Sequence, residues 1–336
     1  MKKTALSLAI AAVLPTFANA EKVEVEMPEF YGKVNVSVQN TQEEGKGSIS
    51  ELVSNASRLG VKGKIELKHG IQAVYQAEFQ YNNAGDNSKT YKGSAEGTDS
   101  LGGEISLDAE VKGSEVFSQR NTFAGIKGGF GQVIVGKFDT PFKKAQSKID
   151  LFNDLEGDIK SVISSHDNRK SNTIQYSTPK MSGLVATVAH IASEVETVND
   201  GTSSSLTFSQ KNIYAAIAYD TDVEADTDAL RLVAQYSLSD FTFGALWEQD
   251  NTAGSDNDKE GWVYSASYKL NSDIKLKAQY GESDIVEDNA ETYSLGADYK
   301  LGSGAKAYAF VTDETYDKNL KNESNQYYGV GLEYKF

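Results

Sequence analysis

The 336-residue chain has no cysteine, which excludes disulfides, thiolate metal sites and cysteine nucleophiles. Histidine is scarce: His69, His166 and His190 are the only three, and their wide separation leaves too few ligands for a metal centre. With four prolines there is no proline-rich linker. Beyond residue 20 no apolar run approaches the roughly 20 residues of a membrane helix. Basic residues are outnumbered, 33 Lys and Arg against 48 Asp and Glu, for a formal charge of −15. That balance argues against a nucleic-acid partner, which calls for a basic face. The many carboxylates lie on wet strand faces or in loops, with no environment suited to acid–base catalysis, so the chain is not read as an enzyme. The acidic stretches Asp220–Glu224 and Ser255–Glu260 lack the glycine and spacing of a calcium loop. No cofactor or metal is expected. What the chain does have is 18 Tyr, 14 Phe and 29 Gly, a composition tilted toward strands and tight turns.

The first twenty residues form a separate unit. Lys2 and Lys3 precede a short apolar run, Ala5 to Phe17, and Ala18-Asn19-Ala20 has the small-x-small pattern of a cleavage site. This is the pattern of a secretory signal peptide. Residues 1–20 are therefore expected to be removed, leaving 21–336 as one exported domain.

One pattern repeats along that domain. From Tyr328 to Phe336 every even position is apolar or aromatic, while the odd positions hold Gly329, Gly331, Glu333 and Lys335. Such alternation is a strand with one greasy and one wet face. Tyr293, Leu295, Ala297 and Tyr299 repeat it against Ser294, Asp298 and Lys300, and Ile274, Leu276, Ala278 and Tyr280 against Lys275, Lys277 and Gln279. Short connections rich in Gly, Asn, Asp and Ser alternate with longer polar ones at 40–56, 82–116, 139–169, 193–202, 221–228, 250–259, 283–290 and 313–324. The segments add up to about sixteen antiparallel strands of about ten residues.

A soluble sandwich would bury each greasy face in a dry core. Two features favour a transmembrane antiparallel β-barrel instead. Aromatics gather toward strand ends, and the opposite faces carry Lys, Glu, Gln, Arg and Ser in nearly every strand. Ten residues at ~3.3 Å, tilted by ~40°, reach roughly 25 Å, the apolar height of an outer-membrane barrel. At this size side chains no longer fill the interior, and an aqueous channel remains. The long connection 139–169 holds Lys143, Lys144, Lys148, Asp150, Asp154, Glu156 and Asp158. By composition it fits a solvated outer loop as well as a functional one.

Several local runs resemble the general diffusion porins of Gram-negative bacteria, the trimeric sixteen-stranded type. Phe30-Tyr-Gly-Lys-Val34 is similar to the family's first strand, and Ser57-Arg-Leu-Gly-Val-Lys-Gly63 to its second. Gln119-Arg-Asn-Thr-Phe-Ala-Gly125 and Gly131-Gln-Val-Ile-Val-Gly-Lys-Phe-Asp139 resemble the strands leading to the constriction loop, and Asp167-Asn-Arg-Lys-Ser-Asn172 the run leaving it. The enterobacterial P-E-F-G-G loop motif is absent, and Asp139-Thr-Pro141 stands in its place.

The resemblance implies that 139–169 folds into the barrel as a constriction loop. Asp150, Asp154, Glu156 and Asp158 would form the acidic side of the eyelet, and Lys33, Arg58, Arg120 and Arg169 the basic side. Parity agrees in part. Arg58 lies opposite Leu59, Val61 and Ile65, Lys33 opposite Val34, Val36 and Val38, and Arg120 opposite Phe123. Phe336 resembles the terminal signal read by the barrel-assembly machinery. Also implied are a homotrimer, with 82–116 as a latch onto a neighbour, contacts with periplasmic chaperones, outer-membrane lipid and lipopolysaccharide, and passage of small hydrophilic solutes and ions. Outward Gly32, Gly63 and Gly125 suit either close subunit packing or barrel curvature. The excess of acidic residues suggests mild cation selectivity. The competing reading is a secreted or surface-exposed β-rich adhesin.

Overall fold

The computed structural model describes residues 26–336 apart from 46, 85–87, 99–103, 115–116, 162, 256 and 319–320. The expected signal peptide over 1–20 lies outside the described residues. The chain starts with β1 (Glu29–Glu43), β2 (Gly47–Ser54), β3 (Arg58–Glu66) and β4 (Gln72–Tyr81). A separate two-stranded hairpin follows, β5 (Ser88–Thr98) with β6 (Glu104–Ser114), within the segment 82–116. After β7 (Phe117–Gly128) and β8 (Gly131–Asp139) the chain leaves the main sheet for a long segment that opens with the short helix α1 (Pro141–Ala145).

The rest is a meander. Its first half is β9 (Arg169–Ser177), β10 (Leu184–Ile191), β11 (Gly201–Gln210), β12 (Ile213–Glu224), β13 (Thr227–Leu238) and β14 (Phe241–Thr252). Its second half is β15 (Lys259–Lys269), β16 (Ile274–Ser283), β17 (Asp288–Gly302), β18 (Ala305–Lys318) and β19 (Lys321–Lys335).

Every pairing in the main sheet is antiparallel, and β19 closes on β1 from Lys33 opposite Lys335 to Glu43 opposite Asn325. Both β2 and β3 pair with β1, on either side of a break at 55–57, and so make one stave. Counted that way, the sheet is a closed ring of sixteen strands. Closure satisfies every edge, as hydrocarbon demands of a spanning backbone.

The alternation assigns the two faces. Val330, Leu295 and Leu332 stand 62%, 60% and 55% exposed on the outside. Between such positions, Ser294 and Thr312 are buried inside with their hydroxyls 2.9 Å apart. Outward aromatics form a continuous band in which Trp262 stacks on Tyr264 and Tyr264 on Tyr280, and Tyr280 meets Tyr293 at a tilt, with centroid separations of 6.0, 6.4 and 4.8 Å. These side chains sit where an interfacial girdle would.

Three sequence expectations need correction. The connections expected at 221–228 and 313–324 are largely strand, and β12 turns into β13 through residues 225–226 alone, whereas those at 250–259 and 283–290 are shortened, with β14 ending at Thr252 before β15 begins at Lys259 and β16 ending at Ser283 before β17 begins at Asp288. Above an apolar band both faces of a strand are wet, so alternation fades while the hydrogen-bond ladder continues. The count that set Phe123 opposite Arg120 is broken by a bulge, where the register slips near Glu78. Phe123 packs edge-on against the buried Phe138, while Ile126 is 43% exposed. Finally, outward Gly32 and Gly63 do not present bare backbone. A Cβ at Gly32 would strike the Phe336 ring, and one at Gly63 the Tyr75 ring, so aromatics from adjacent strands already cover both.

An arginine in place of outward Val330 should cost up to about 2–4 kcal/mol. A lower urea midpoint for the V330R barrel folded into lipid vesicles would register that cost, and an unchanged midpoint would place Val330 off the lipid face.

Candidate functional site

The segment 140–168 folds into the barrel. Its entry is set locally: Thr140 caps α1 by accepting the Lys143 amide at 3.1 Å, and Pro141 occupies the first turn. Its apolar side chains, Phe142, Ile149, Phe152, Ile159 and Ile163, are buried to 0–1% exposure. Four of them pack against an inner-wall cluster that includes Ala216, Val233, Leu246 and Val263. These four wall residues are direct cross-strand partners, so they form a horizontal apolar belt. Beside the belt the wall has glycine where the loop comes closest. A Cβ at Gly244 would lie 2.5 Å from Ile149, and one at Gly281 2.8 Å from Ile163. Polar ties finish the docking: Ser203 accepts the Phe142 amide at 3.1 Å, and Gln279 accepts the Leu151 amide at 2.8 Å.

Opposite that docked side a cavity of about 770 Å³ stays open. Lys33, Arg58, Arg120 and Arg169 all line it, together with Asp154 and Asp158. Lys33 Nζ is 2.6 Å from Asp154 Oδ2, and Arg58 reaches the same oxygen at 3.8 Å. The other two basic residues meet acids of the wall. Arg120 Nε is 2.9 Å from Glu78, and Arg169 Nη2 is 2.7 Å from Asp139.

The acids expected at the eyelet separate. Asp154 faces the cavity. Burial pushes its carboxyl upward, but Lys33, Arg58 and Arg120 outweigh burial and hold it below the ordinary carboxylate range. Asp150 does not line the cavity. It accepts the Phe152 amide at 3.0 Å and serves the loop's internal fold. Asp158 caps the same turn by accepting the Asp154 amide at 2.8 Å, and Asn153 donates to both carboxylates. Burial raises both carboxyls, and for Asp150 the neighbouring Asp158 adds to it. Glu156 accepts from Gln39 at 2.7 Å and does not line the cavity.

The sequence reading missed part of the lining. Glu78 and Asp139 face the cavity from the wall, and Lys143, Lys144 and Lys160 face it from the loop. Glu78 was visible as a wet-face residue of its strand. The loop lysines were visible only as charges, because their direction depends on α1. In all, Lys33, Arg58, Arg120, Lys143, Lys144, Lys160, Arg169 and Lys335 supply eight cations. Glu78, Asp139, Asp154, Asp158 and Asp167 supply five carboxylates, so a cationic excess remains even with the terminal carboxylate of Phe336 counted.

A closed barrel with an apolar exterior and a charged throat narrowed by its own loop is an outer-membrane type of β-barrel. A family model described as Gram-negative porin matches residues 5–319. The chain belongs to that family. It is 24% identical to the major outer membrane protein P.IB of Neisseria meningitidis serogroup A over 100% of this chain and 89% of that one. Against P.IB of Neisseria gonorrhoeae the identity is 23%, over 56% of this chain and 48% of the other, so the chain spans about half the length of such relatives. Among solved structures, an anion-selective porin from Comamonas acidovorans superposes with a TM-score of 0.71 at 19% identity, covering 92% of this chain and 99% of that one. OmpT, an outer-membrane protein of Vibrio cholerae in trimer form, gives 0.64 at 15% identity, with 93% and 100% covered.

Asp154→Asn should destabilise the loop by about 1–3 kcal/mol, because the buried Lys33 loses its charged partner. The pH dependence has a definite sign. Asp154 lies below its unfolded value, so its contribution is complete above the ordinary carboxylate range and lost as pH falls through the lowered value. Asp150 and Asp158 act oppositely, and their contribution fades as pH rises through their raised values. Protease sensitivity of the loop against pH should therefore be lowest in mildly acidic solution. A D154N variant should lose the protection found there, and equal sensitivity of both proteins would contradict the assignment.

Proposed function

We propose that the protein is a channel of the outer membrane through which small hydrophilic solutes and ions diffuse passively, with weak anion preference set at its throat. The carrying observation is the charge lining of the 770 Å³ cavity, eight cations against five carboxylates. The acidic excess of the whole chain argues for cations. Selectivity, however, is decided where the path is narrowest and low-dielectric walls concentrate the field. Anion selectivity in the Comamonas porin agrees with this sign.

In this reading Lys33, Arg58, Arg120 and Arg169 form the basic side of the throat, and Asp154 with Asp158 the acidic side. Asp150 and Glu156 brace the loop. The transverse field orders water and slows apolar solutes. A homotrimer is proposed from the trimeric neighbour, with 82–116 reaching an adjacent subunit. Export by the 1–20 signal, delivery by periplasmic chaperones, recognition of Phe336 by the assembly machinery, and contact with lipid and lipopolysaccharide complete the proposal. The adhesin reading is not favoured, since it needs no closed lumen.

The test is conductance of the purified protein in planar bilayers. Steps in groups of three and a reversal potential of anion sign under a KCl gradient are expected. Arg58→Glu combined with Lys160→Glu should move that potential toward cations. Absence of any steps contradicts the pore, and a wild-type potential of cation sign contradicts the throat assignment.

A further inference from the structure

The loop's two ends are gripped by a buried ionic cluster that takes no part in lining the throat. Arg231 on β13 is fully buried. It donates to Glu248 of β14, to Ser164 Oγ at 2.7 Å, and to the Phe142 carbonyl at 3.2 Å. Its guanidinium lies 4.3 Å over the Phe142 ring. Ser164 also donates to Glu248 at 2.8 Å, and Ser165 to Asp250 at 2.7 Å. One arginine thus ties the loop's start at Phe142 to its end at Ser164.

His166, also fully buried, sits beside this tie. Its Nδ1 is 3.3 Å from Asp220 Oδ2 of β12, and its Nε2 is 3.6 Å from Asp250 Oδ2 of β14. A neutral imidazole with its N–H on Nδ1 would serve Asp220 alone, whereas an imidazolium also meets Asp250 as an ion pair, its Nε2 having no hydrogen-bond partner among the described residues. The charges around it favour the cation. Asp220 on β12, Glu248 and Asp250 on β14 and Asp167 in the loop are acidic. Arg231 on β13 and Lys143, which pairs with Asp167 at 3.2 Å, are the basic groups. Two carboxylate oxygens, Asp220 Oδ1 and Asp250 Oδ1, have no hydrogen-bond partner among the described residues. With His166 neutral, Arg231 alone would face the three wall carboxylates.

We propose that His166, held as an imidazolium between Asp220 and Asp250, is the pH-sensitive pin that positions the constriction loop against the wall. The inference rests on the channel reading and adds its regulation. Burial disfavours the charged ring, but the Asp220 hydrogen bond and the charges of Asp250, Asp220 and Glu248 outweigh that and raise its titration point. A raised point means that the pin is fully engaged below about 6.5, the ordinary histidine value, and is released as pH climbs through the raised value. Release leaves a ring lone pair facing a carboxylate, and the end of the loop loosens.

The test has a structural and a transport arm, both on the full chain in detergent or bilayer. Ring-nitrogen NMR follows the titration of His166. His166 should stay doubly protonated above about 6.5, the ordinary histidine value, and Asp250→Asn should lower its titration point. In bilayers, current flicker should rise above the pH at which His166 titrates. His166→Gln should flicker at every pH, without the step. A His166 that titrates at or below about 6.5, the ordinary histidine value, or stays neutral throughout, overturns the proposal whether or not the protein conducts. So does a pH step that survives in H166Q. Should H166Q fail to fold, the shift in D250N decides. A protein that never conducts while His166 keeps its high titration point supports the pin and counts against the pore.

Discussion

No backbone amide or carbonyl can be left unpaired in hydrocarbon, and this constraint shapes the molecule. It requires β19 to find β1, which it does along eleven paired positions. Once the ring closes, strand alternation must divide the chain between lipid and water. The low average hydropathy of the sequence follows, because each strand gives only half its side chains to the membrane.

A ring of this size cannot be filled by its own inward side chains. The segment 140–168 resolves the mismatch asymmetrically. One flank carries isoleucine and phenylalanine and docks on the Ala216–Val233–Leu246–Val263 belt, where wall glycines make room. The other flank carries Asp154, Lys143 and Lys160 and faces the remaining water path. The throat is therefore no simple confrontation of an acidic loop with a basic wall. Both surfaces carry both signs, and the local surplus is cationic although the chain as a whole is acidic.

The barrel was legible because its cause is periodic. Positions such as Tyr293 and Leu295 against Ser294 state the burial pattern directly, and the stave count follows from them. Strand ends were not legible, since beyond the lipid band nothing in β12 or β18 distinguishes a paired polar residue from an unpaired one. Wall residues of the throat could be placed by parity from their own strands, except at the bulge near Arg120, where two residues oppose one. Loop residues have no such ruler. Asp150 and Asp154 look alike in sequence, yet one folds the loop and the other meets Lys33. The inward Val233, Leu246 and Val263 were a readable exception to the polar lumen, and they mark where the loop docks.

The chain holds only two tryptophans, Trp247 and Trp262, adjacent on the outer face with ring centroids 6.2 Å apart. They allow the closed, lipid-bounded sheet to be tested without any substitution. In vesicles whose acyl chains carry bromine near the headgroup, the account predicts strong quenching of tryptophan fluorescence and little quenching by aqueous iodide. Quenching by iodide with none from the brominated lipid would contradict it.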